Sequence, residues 1–237
     1  MGGGLGVNAN IRQLEPNSLV AHEDDVQRRS RAARVFQLGR RSSNIVETPE
    51  ERIRRVTQED VAVVPYDPTW PEEFDREKAH LLSCLPPDLV KRVEHFGSTA
   101  VPGLAAKPII DILVEVSGLE ATKEHIVPVL ESQKYEYFWR PTHGDDGPPF
   151  YAWFIKRHHA TGARTHHIHM VERQFVEHWE RLLFRDYLMQ HPATAKEYEA
   201  LKLQLATAYP NDRIAYTRGK TDFINRVARL AGKREIP

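Results

Sequence analysis

The stretch EHFGSTAVPGLAAKPIIDILVEV, residues 94–116, decides the fold of this 237-residue chain. A strand candidate at 90–96 leads into a loop rich in small residues and prolines, and the apolar run IIDILVEV follows at 109–116. Near-continuous apolar character is typical of a strand that is covered on both faces of its sheet. An acidic side chain in such a strand costs free energy unless it has a partner or binds a metal, so Asp111 is the first candidate functional residue.

Around this stretch, apolar runs of strand length alternate with segments of helical period, which predicts an α/β (α+β) fold. The predicted elements are a β-like segment at 61–66, a helix that begins at Pro71, strands at 90–96 and 109–116, a helix at 120–130, and strands near 135–139, 150–156 and 166–171. Amphipathic helices follow, and the residues expected on inner helix faces include Leu82, Leu183 and Leu230. We therefore expect a mixed β-sheet flanked by helices, with a helical C-terminal part.

Residues 1–60 differ from the rest of the chain in composition and in hydrophobic pattern. They hold many arginines, no lysine and no sustained hydrophobic periodicity. We interpret them as a disordered or weakly ordered Arg-rich tail, whose arginines leave a nuclear or organelle address open. Residues 61–232 are assigned to one folded domain, because the last helices follow the sheet without a linker.

Composition excludes several classes of partner. Lys plus Arg and Asp plus Glu both number 33, so no net field draws the whole chain to nucleic acid or to an anionic membrane. The single cysteine, Cys84, cannot form an internal disulfide, and no apolar stretch approaches the roughly 20 residues of a membrane span. We expect a cytoplasmic protein that binds neither nucleic acid nor a membrane, and the sequence leaves its oligomeric state open.

A Gly-Ser pair, Gly97-Ser98, ends the first strand of the deciding stretch. Glycine lets backbone N–H groups and a hydroxyl approach a phosphate closely, because it has no side chain to interfere. An aspartate on the neighbouring strand can hold Mg²⁺ or Mn²⁺ against that phosphate, since hard cations prefer carboxylate oxygen. We therefore predict that Gly97, Ser98 and Thr99 bind phosphate and that Asp111 binds a divalent cation.

Motifs in a fixed order along residues 61–230 resemble the GrpB family. They are YDPTWPEEF (66–74), the stretch at 94–116, HHIHMVE (166–172), WERLLFRDYLMQHPATAKEYEALK (179–202) and a final Tyr216, Lys220, Phe223 and Ile224. That family is similar in fold to the nucleotidyltransferase superfamily, whose signature is a Gly-Ser or Gly-Gly pair followed by a strand with two acids at positions i and i+2. The resemblance implies a nucleotidyltransferase-like mixed sheet and a nucleotide or phosphate ligand.

The second acid of that signature is missing here. Two carboxylates at positions i and i+2 share one face of a strand and can both reach a pair of metal ions. In this chain position i+2 from Asp111 is Leu113, and Glu115 lies about 13 Å from Asp111 along an extended strand. Either the protein uses one metal ion with other ligands, or it has kept phosphate binding without transfer.

Two histidines, His167 and His169, are candidates for the other metal ligands. Residues two apart on a strand share a face, and imidazole is a common ligand of borderline divalent metals. A set of Asp111, His167 and His169 suits a transition metal better than Mg²⁺. The alternative is that both histidines form hydrogen bonds or contact phosphate without a metal.

Several charged residues near the Gly-Ser pair have predicted roles. Lys107, Arg164 and Lys220 are candidates to neutralise a phosphate, with a solvated surface charge as the alternative for each. Glu94 or His95 is a candidate general base, because histidine titrates near neutrality and burial raises the pKa of a glutamate towards it. The sequence does not fix which of these two faces the site.

Three functions follow from these residues. The first is a nucleotidyltransferase-fold protein that binds a nucleotide or another phosphorylated small molecule, with metal-dependent nucleotidyl or phosphoryl transfer as its chemistry. The second is a non-catalytic binding or regulatory module, which Leu113 favours. The third is a metal-assisted hydrolase that uses Asp111, His167 and His169. The ligand and any acceptor are not identified by the sequence.

Overall fold

The computed structural model describes residues 47–143 and 147–232. Its elements in chain order are α1 (Pro49–Thr57), α2 (Trp70–Cys84), β1 (Val90–Phe96), a 3₁₀ turn (Ser98–Ala100), β2 (Ile110–Val116), α3 (Leu119–Ala121, continued by the π-helical Thr122–Ile126 and by Val127–Ser132), β3 (Glu136–His143), β4 (Gly147–Arg157), β5 (Arg164–Val171), α4 (Val176–Gln190), α5 (Pro192–Ala208), α6 (Arg213–Arg218) and α7 (Thr221–Gly232). The predicted α/β class with a helical C-terminal part is confirmed.

The five strands form one mixed sheet in the order β1-β2-β5-β4-β3. Strands β2 and β5 are parallel, whereas β1 with β2, β5 with β4 and β4 with β3 are antiparallel. The parallel register sets Asp111 beside His167 and Leu113 beside His169. The sheet therefore brings Asp111 together with His167, which is 56 positions later in the chain, and with His169.

Strand β2 is covered on both faces, because its side chains alternate between two clusters of buried residues. Ile110, Ile112 and Val114 belong to a cluster that also includes residues of α2 and α3. Leu113 points to the other face, where Phe96, Trp153 and residues of α1 and α4 pack around it. Asp111 shares this second face with Leu113, since the two residues are two positions apart.

Some local predictions differ from the structure. The β-like segment at 61–66 contributes one isolated bridge, between Val64 and Ala106. Leu82, Leu183 and Leu230 are exposed instead of lining inner helix faces. In α2 the buried positions are Trp70, Glu77 and Leu81. Leu82 is about 100° further around the helix than Leu81 and so faces solvent.

Residues 1–46 of the predicted tail at 1–60 lie outside the described part of the chain, and residues 47–60 are described. Residues 49–57 form α1, and Val56 is 6% exposed within the cluster on the Asp111 face. This part of the tail is thus structured, since an apolar side chain and the acid Glu59 both find partners on the sheet. Within the described residues, no helix is long and apolar enough to cross a membrane.

Candidate functional site

The turn at Gly97 and Ser98, here called the Gly-Ser corner, lies directly against Asp111. Gly97 has a φ of +77°, a conformation that favours glycine, and a Cβ atom built on it would lie 2.5 Å from Asp111 Oδ2 and 3.1 Å from Asp111 Cγ. A side chain at this position would therefore collide with the carboxylate. The structure brings the predicted corner and the predicted acid into contact.

Asp111 is ionised and surrounded by hydrogen-bond donors and cations. Its Oδ1 lies 3.1 Å from His167 Nδ1. Burial would raise the pKa of Asp111, but the hydrogen bond with His167 and the charges of Lys107 and Lys220 lower it below its ordinary value. The carboxylate is thus available as an anionic ligand for a cation.

Both ring nitrogens of His167 have partners, which fixes its tautomer. Arg164 Nη1 lies 3.3 Å from His167 Nε2, and a guanidinium can only donate. Nε2 must therefore accept, so the ring proton is on Nδ1 and is donated to the Asp111 carboxylate. Burial lowers the pKa of His167 to about 4, even though Asp111 opposes that shift, and the ring is neutral at pH 7.

Arg164 is held by an acid that the sequence analysis placed in the tail. Arg164 Nε donates to Glu59 Oε2 at 2.5 Å, and its Nη2 donates to the carbonyl of Val56. Arg157 Nη2 donates to Glu59 Oε1 at 2.6 Å, and Arg213 Nη2 lies 3.8 Å from Glu59 Oε2. Arg164 therefore has carboxylate, carbonyl and histidine partners already, and it positions His167.

Lys107 and Lys220 lie on the ring of Tyr216. Their Nζ atoms are 5.1 Å and 4.5 Å from the ring centroid. Burial, followed by the charges of Lys220 and Arg213, lowers the pKa of Lys107 to about 7. Burial likewise lowers the pKa of Lys220 to about 8, against the opposing charge of Asp111. In the described part of the chain neither ammonium group forms an ion pair with a carboxylate.

His169 lies beside Leu113, the position where the superfamily signature has its second acid. Its Nδ1 is buried and has no hydrogen-bond partner among the described residues. The ring contacts Phe96 edge-on at 5.2 Å and stacks on Tyr151 at 5.6 Å between centroids. Burial, followed by the charge of Arg181, lowers the pKa of His169 well below its ordinary value, so the ring is neutral.

The two candidate general bases do not join this cluster. His95 lies on the opposite face of the sheet, stacked on Phe74 of α2 at 4.8 Å, because strand alternation separates it from the Asp111 face. Burial lowers the pKa of His95 to about 4. Burial would raise the pKa of Glu94, but hydrogen bonds from Arg92 and Arg185 lower it, which leaves a weak base. Glu94 is the register partner of Leu113 and so shares the Asp111 face, but its carboxylate accepts hydrogen bonds from Arg92 and Arg185.

Within the corner, the side chains of Ser98 and Thr99 differ in their surroundings. Thr99 is 1% exposed, and its Oγ1 lies 3.0 Å from His95 Nε2 and 3.4 Å from the carbonyl oxygen of Ile109. The Thr99 hydroxyl therefore stabilises the loop and does not face the site. Ser98 is half-buried, and its side chain forms a hydrogen bond with Tyr198 of α5.

Asp111, His167 and His169 offer three ligand atoms that all lie within 4.8 Å of one another. Asp111 fits a divalent cation, and the unpartnered Nδ1 of His169 fits a transition metal. His167 does not fit in its present tautomer, because the atom facing Asp111 carries the proton. The residues present thus suit a cation held mainly by Asp111 better than a site with two histidines.

Sequence reasoning missed four residues around this cluster, namely Glu59, Arg140, Arg181 and Arg213. Glu59 was assigned to the tail, and the three arginines lie on elements far from the deciding stretch. No local pattern marks them, since their contribution depends on how α4, α6 and β3 pack over the sheet.

Comparison with known proteins agrees with the resemblance found in the sequence. The sequence model of the GrpB protein family matches residues 60–229. The Glutamate-rich protein GrpB of Alkalihalophilus pseudofirmus is 38% identical over 172 residues, which cover 73% of this chain and 96% of that protein. The UPF0157 protein YqkA of Bacillus subtilis is 38% identical over 164 residues, and the match covers 69% of this chain but only 45% of YqkA.

A solved structure supports the same relationship. The crystal structure of the conserved protein GrpB from Enterococcus faecalis has a TM-score of 0.61 to this chain and 35% sequence identity, covering 73% of this chain and 98% of that one. The match of the family model to most of the chain and these similarities in sequence and structure lead to one conclusion. The chain belongs to the GrpB family.

Proposed function

We propose that this protein binds a nucleotide or another phosphorylated small molecule at the corner formed by Gly97, Ser98 and Asp111. The observation that carries this proposal is the pair Lys107 and Lys220, two half-buried cations on the same tyrosine ring. Like charges that are desolvated together repel each other, and their pKa values fall. A bound anion would relieve that repulsion, whereas two lysines in open solvent would need no such partner.

The balance of charge at the corner favours an anion with more than one negative charge. The charges that act on Lys107 are those of Lys220, Arg213 and Arg164 and, with opposite sign, Asp111. Arg164 and Arg213 are paired with Glu59, so the two lysines are left with the single carboxylate of Asp111. A phosphate group carries up to two charges near neutrality and several acceptor oxygens, so it matches lysine ammonium groups and the Ser98 hydroxyl.

A divalent cation, Mg²⁺ or Mn²⁺, belongs to the same proposal, with Asp111 as its protein ligand. When bound, such an ion would neutralise charge on the phosphate oxygens. The residues of the chain do the rest: Lys107 and Lys220 bind the anion, and His167 orients the Asp111 carboxylate by donating to Oδ1. Arg164 keeps His167 in the tautomer that can donate.

Binding does not require transfer, and Leu113 favours a module without it. Leu113 is fully buried, so the face of β2 that carries Asp111 has an apolar side chain where a second carboxylate would hold a second metal ion. We therefore favour a protein that binds a nucleotide or phosphometabolite without catalysis. Nucleotidyl or phosphoryl transfer is the reaction to test if the protein is an enzyme.

The test is a thermal-shift titration of the full chain with inorganic phosphate and with nucleoside mono-, di- and triphosphates, with and without Mg²⁺ or Mn²⁺. Ligands that bind only the folded state raise the melting temperature by mass action. We expect the wild type to respond, and Lys107→Met and Lys220→Met to lose the response. Lys196→Met, an exposed change on α5, is the matched control.

A second variant separates the cation from the anion. Asp111→Asn is expected to abolish the additional stabilisation by Mn²⁺ while it preserves the response to metal-free phosphate. A wild type that responds to none of these probes, or lysine variants that respond like Lys196→Met, would contradict the proposal.

A metal-assisted hydrolase is the second candidate, favoured by the grouping of Asp111, His167 and His169. It requires His167 to give up its Nδ1 proton, which the hydrogen bond from Arg164 to Nε2 opposes. The test is release of phosphate from p-nitrophenyl phosphate in the presence of Mn²⁺ or Zn²⁺. Activity in the wild type that is lost in His169→Gln would favour the hydrolase over the binding module.

A further inference from the structure

A second group of cations, Arg181 and Arg140, acts on His169. Arg181 of α4 is half-buried, with its Cζ atom 6.0 Å from the centroid of the Phe96 ring that contacts His169. Arg140 of β3 lies over the ring of Trp153, with its Cζ atom 4.9 Å from the centroid. Trp153 is the register partner of His169. Arg181, Arg140, Phe96 and Trp153 therefore surround one position on the sheet.

Arg181 lacks the partner that a desolvated guanidinium needs. Among the residues that the structure describes, it forms no ion pair and no hydrogen bond. The charged side chains that act on it include Arg140, which repels it, and Asp111 and Glu177, which attract it. Removing an arginine from water without pairing it costs free energy, and natural proteins keep such groups where a ligand completes them.

The neutral groups beside Arg181 are also incomplete. Trp153 Nε1 and His169 Nδ1 are both buried, and neither has a hydrogen-bond partner in the described part of the chain. An indole N–H can only donate, and the Nδ1 of a neutral histidine donates in one of its two tautomers. The guanidinium groups of Arg181 and Arg140 thus lie near two buried ring nitrogens, and none of the described residues accepts a hydrogen bond from these nitrogens.

We propose that Arg181, Arg140, Trp153 and His169 form a second oxyanion subsite, so that the ligand of this protein carries two linked anionic groups. The inference rests on the proposed function and extends it, because the first anionic group occupies the Lys107 and Lys220 side of Asp111. The two cation groups contact different rings, since the lysines lie on Tyr216 whereas Arg181 and Arg140 lie on Phe96 and Trp153. The charge of Asp111 acts on both Lys107 and Arg181, so both groups lie near it. Two or three phosphates linked by anhydride bonds would offer each cation group an anionic group of its own.

The ligand class that follows is a phosphoanhydride, such as the polyphosphate chain of a nucleoside diphosphate or triphosphate. The chain would lie across Asp111 and His167, with the lysines at one end and the arginines at the other. A monophosphate ester would leave the Arg181 end unfilled.

The experiment compares inorganic phosphate, pyrophosphate and tripolyphosphate as probes in thermal-shift titrations of the full chain at constant ionic strength, without divalent ions. We expect the wild type to bind pyrophosphate and tripolyphosphate at least about tenfold more tightly than phosphate, which corresponds to about 1.4 kcal/mol. Arg181→Met should lose that preference and keep the phosphate response, and Lys107→Met should lose the response to all three probes.

Two further variants complete the design. Arg140 is exposed, so Arg140→Met should fold even if Arg181→Met does not. We expect this variant also to lose the preference for pyrophosphate and tripolyphosphate over phosphate. Arg76→Met, on the opposite face of the sheet, is the control and should keep the wild-type preference. Equal affinities for the three probes in the wild type, or an unchanged preference in Arg140→Met and Arg181→Met, would overturn the inference alone. No response to any probe would contradict the proposed function itself.

Discussion

Two clusters of buried charge lie on opposite faces of the same sheet, and they differ in how their charges are paired. One face of the sheet packs against α2 and is called the α2 face. On this face Glu77 is 3% exposed, accepts a hydrogen bond from Tyr135 at 2.5 Å and accepts a second from Lys156. On the Asp111 face, Lys107 and Lys220 share a tyrosine ring and no described carboxylate pairs with either. The acid of the first cluster has its hydrogen-bond donors, whereas the lysines of the second have no carboxylate partner among residues 47–143 and 147–232.

This difference separates a charge cluster that stabilises the fold from one that, under the proposed function, is completed by a bound anion. A buried ion pair with all its hydrogen bonds formed is costly to break, because one partner is left desolvated. Cations that are buried together without an acid reduce stability until an anion binds. We therefore expect that removing the charge of Glu77 lowers the free energy of unfolding, and that removing the charge of Lys107 raises it.

The largest effect is expected on the α2 face. Glu77→Ala should lower the free energy of unfolding by about 3 kcal/mol, because it leaves Lys156 and the Tyr135 hydroxyl without their acceptor. Urea denaturation measures the change. Glu72→Ala, whose exposed carboxylate lies 3.7 Å from Arg76, is the control and should change stability by about 0.5 kcal/mol or less. A similar loss in both variants would show that the Glu77 network is not a stabilising cluster.

A matched pair of glycines extends the comparison to the corner. Gly97 and Gly103 have φ values of +77° and +76°, but of these two only Gly97 has neighbours, the atoms of Asp111, within 4 Å of the place where a Cβ would lie. Gly103→Ala should cost about 1 kcal/mol of unfolding free energy from backbone strain, and Gly97→Ala about 2 kcal/mol because overpacking adds to that strain. Equal costs in urea denaturation would mean that the corner and the carboxylate are not tightly packed.

The smallest effect has the opposite sign. Lys107→Met should raise the free energy of unfolding by about 1 kcal/mol at pH 7, because it removes a desolvated cation. The pKa of Lys107 in the folded state is about 7, below the ordinary value of 10.5, so the unfolded chain holds more protons between these values. Wild-type stability should therefore rise with pH from about 7 to about 9.5, below the range in which tyrosines of the unfolded chain ionise.

The variant tests that pH dependence directly. In Lys107→Met the rise between about pH 7 and about pH 9.5 should be smaller, although Lys220 and Lys202 contribute to the same window with pKa values of about 8 and about 7. Phosphate affinity of the wild type should fall over that window, because the lysines lose their protons. Phosphate binding that strengthens as pH increases would argue against lysine contacts.

The fold was predictable to the extent that it depends on local pattern. The alternation of apolar residues located β1, β2 and β5 closely, and an acid inside an apolar strand pointed to Asp111. The inner faces of helices were predicted less well, since Leu82 and Leu183 continue an apolar pattern on the exposed side. When the apolar stripe of a helix is wider than the surface that contacts the sheet, the sequence does not show which apolar residues remain exposed.

The site was predictable in its central residues and not in its surroundings. Strand periodicity put His167 and His169 on one face, but it left open whether Glu94 or His95 shared that face. The tautomer of His167 depends on Arg164, and the second cation group depends on Arg181, which lies on a helix packed over the sheet. Contacts of this kind are set by tertiary packing, which no short motif encodes.

Glu59 has a practical consequence for anyone who prepares this protein in pieces. It precedes by one residue the range 60–229 that the family model matches, yet its carboxylate binds Arg157 and Arg164. A recombinant fragment cut at the family boundary would retain Asp111, both lysines and both histidines and still release Arg164 from its anchor. Fragments for crystallisation or ligand screening should begin upstream of α1, because a shorter domain lacks the carboxylate that holds Arg164 beside His167.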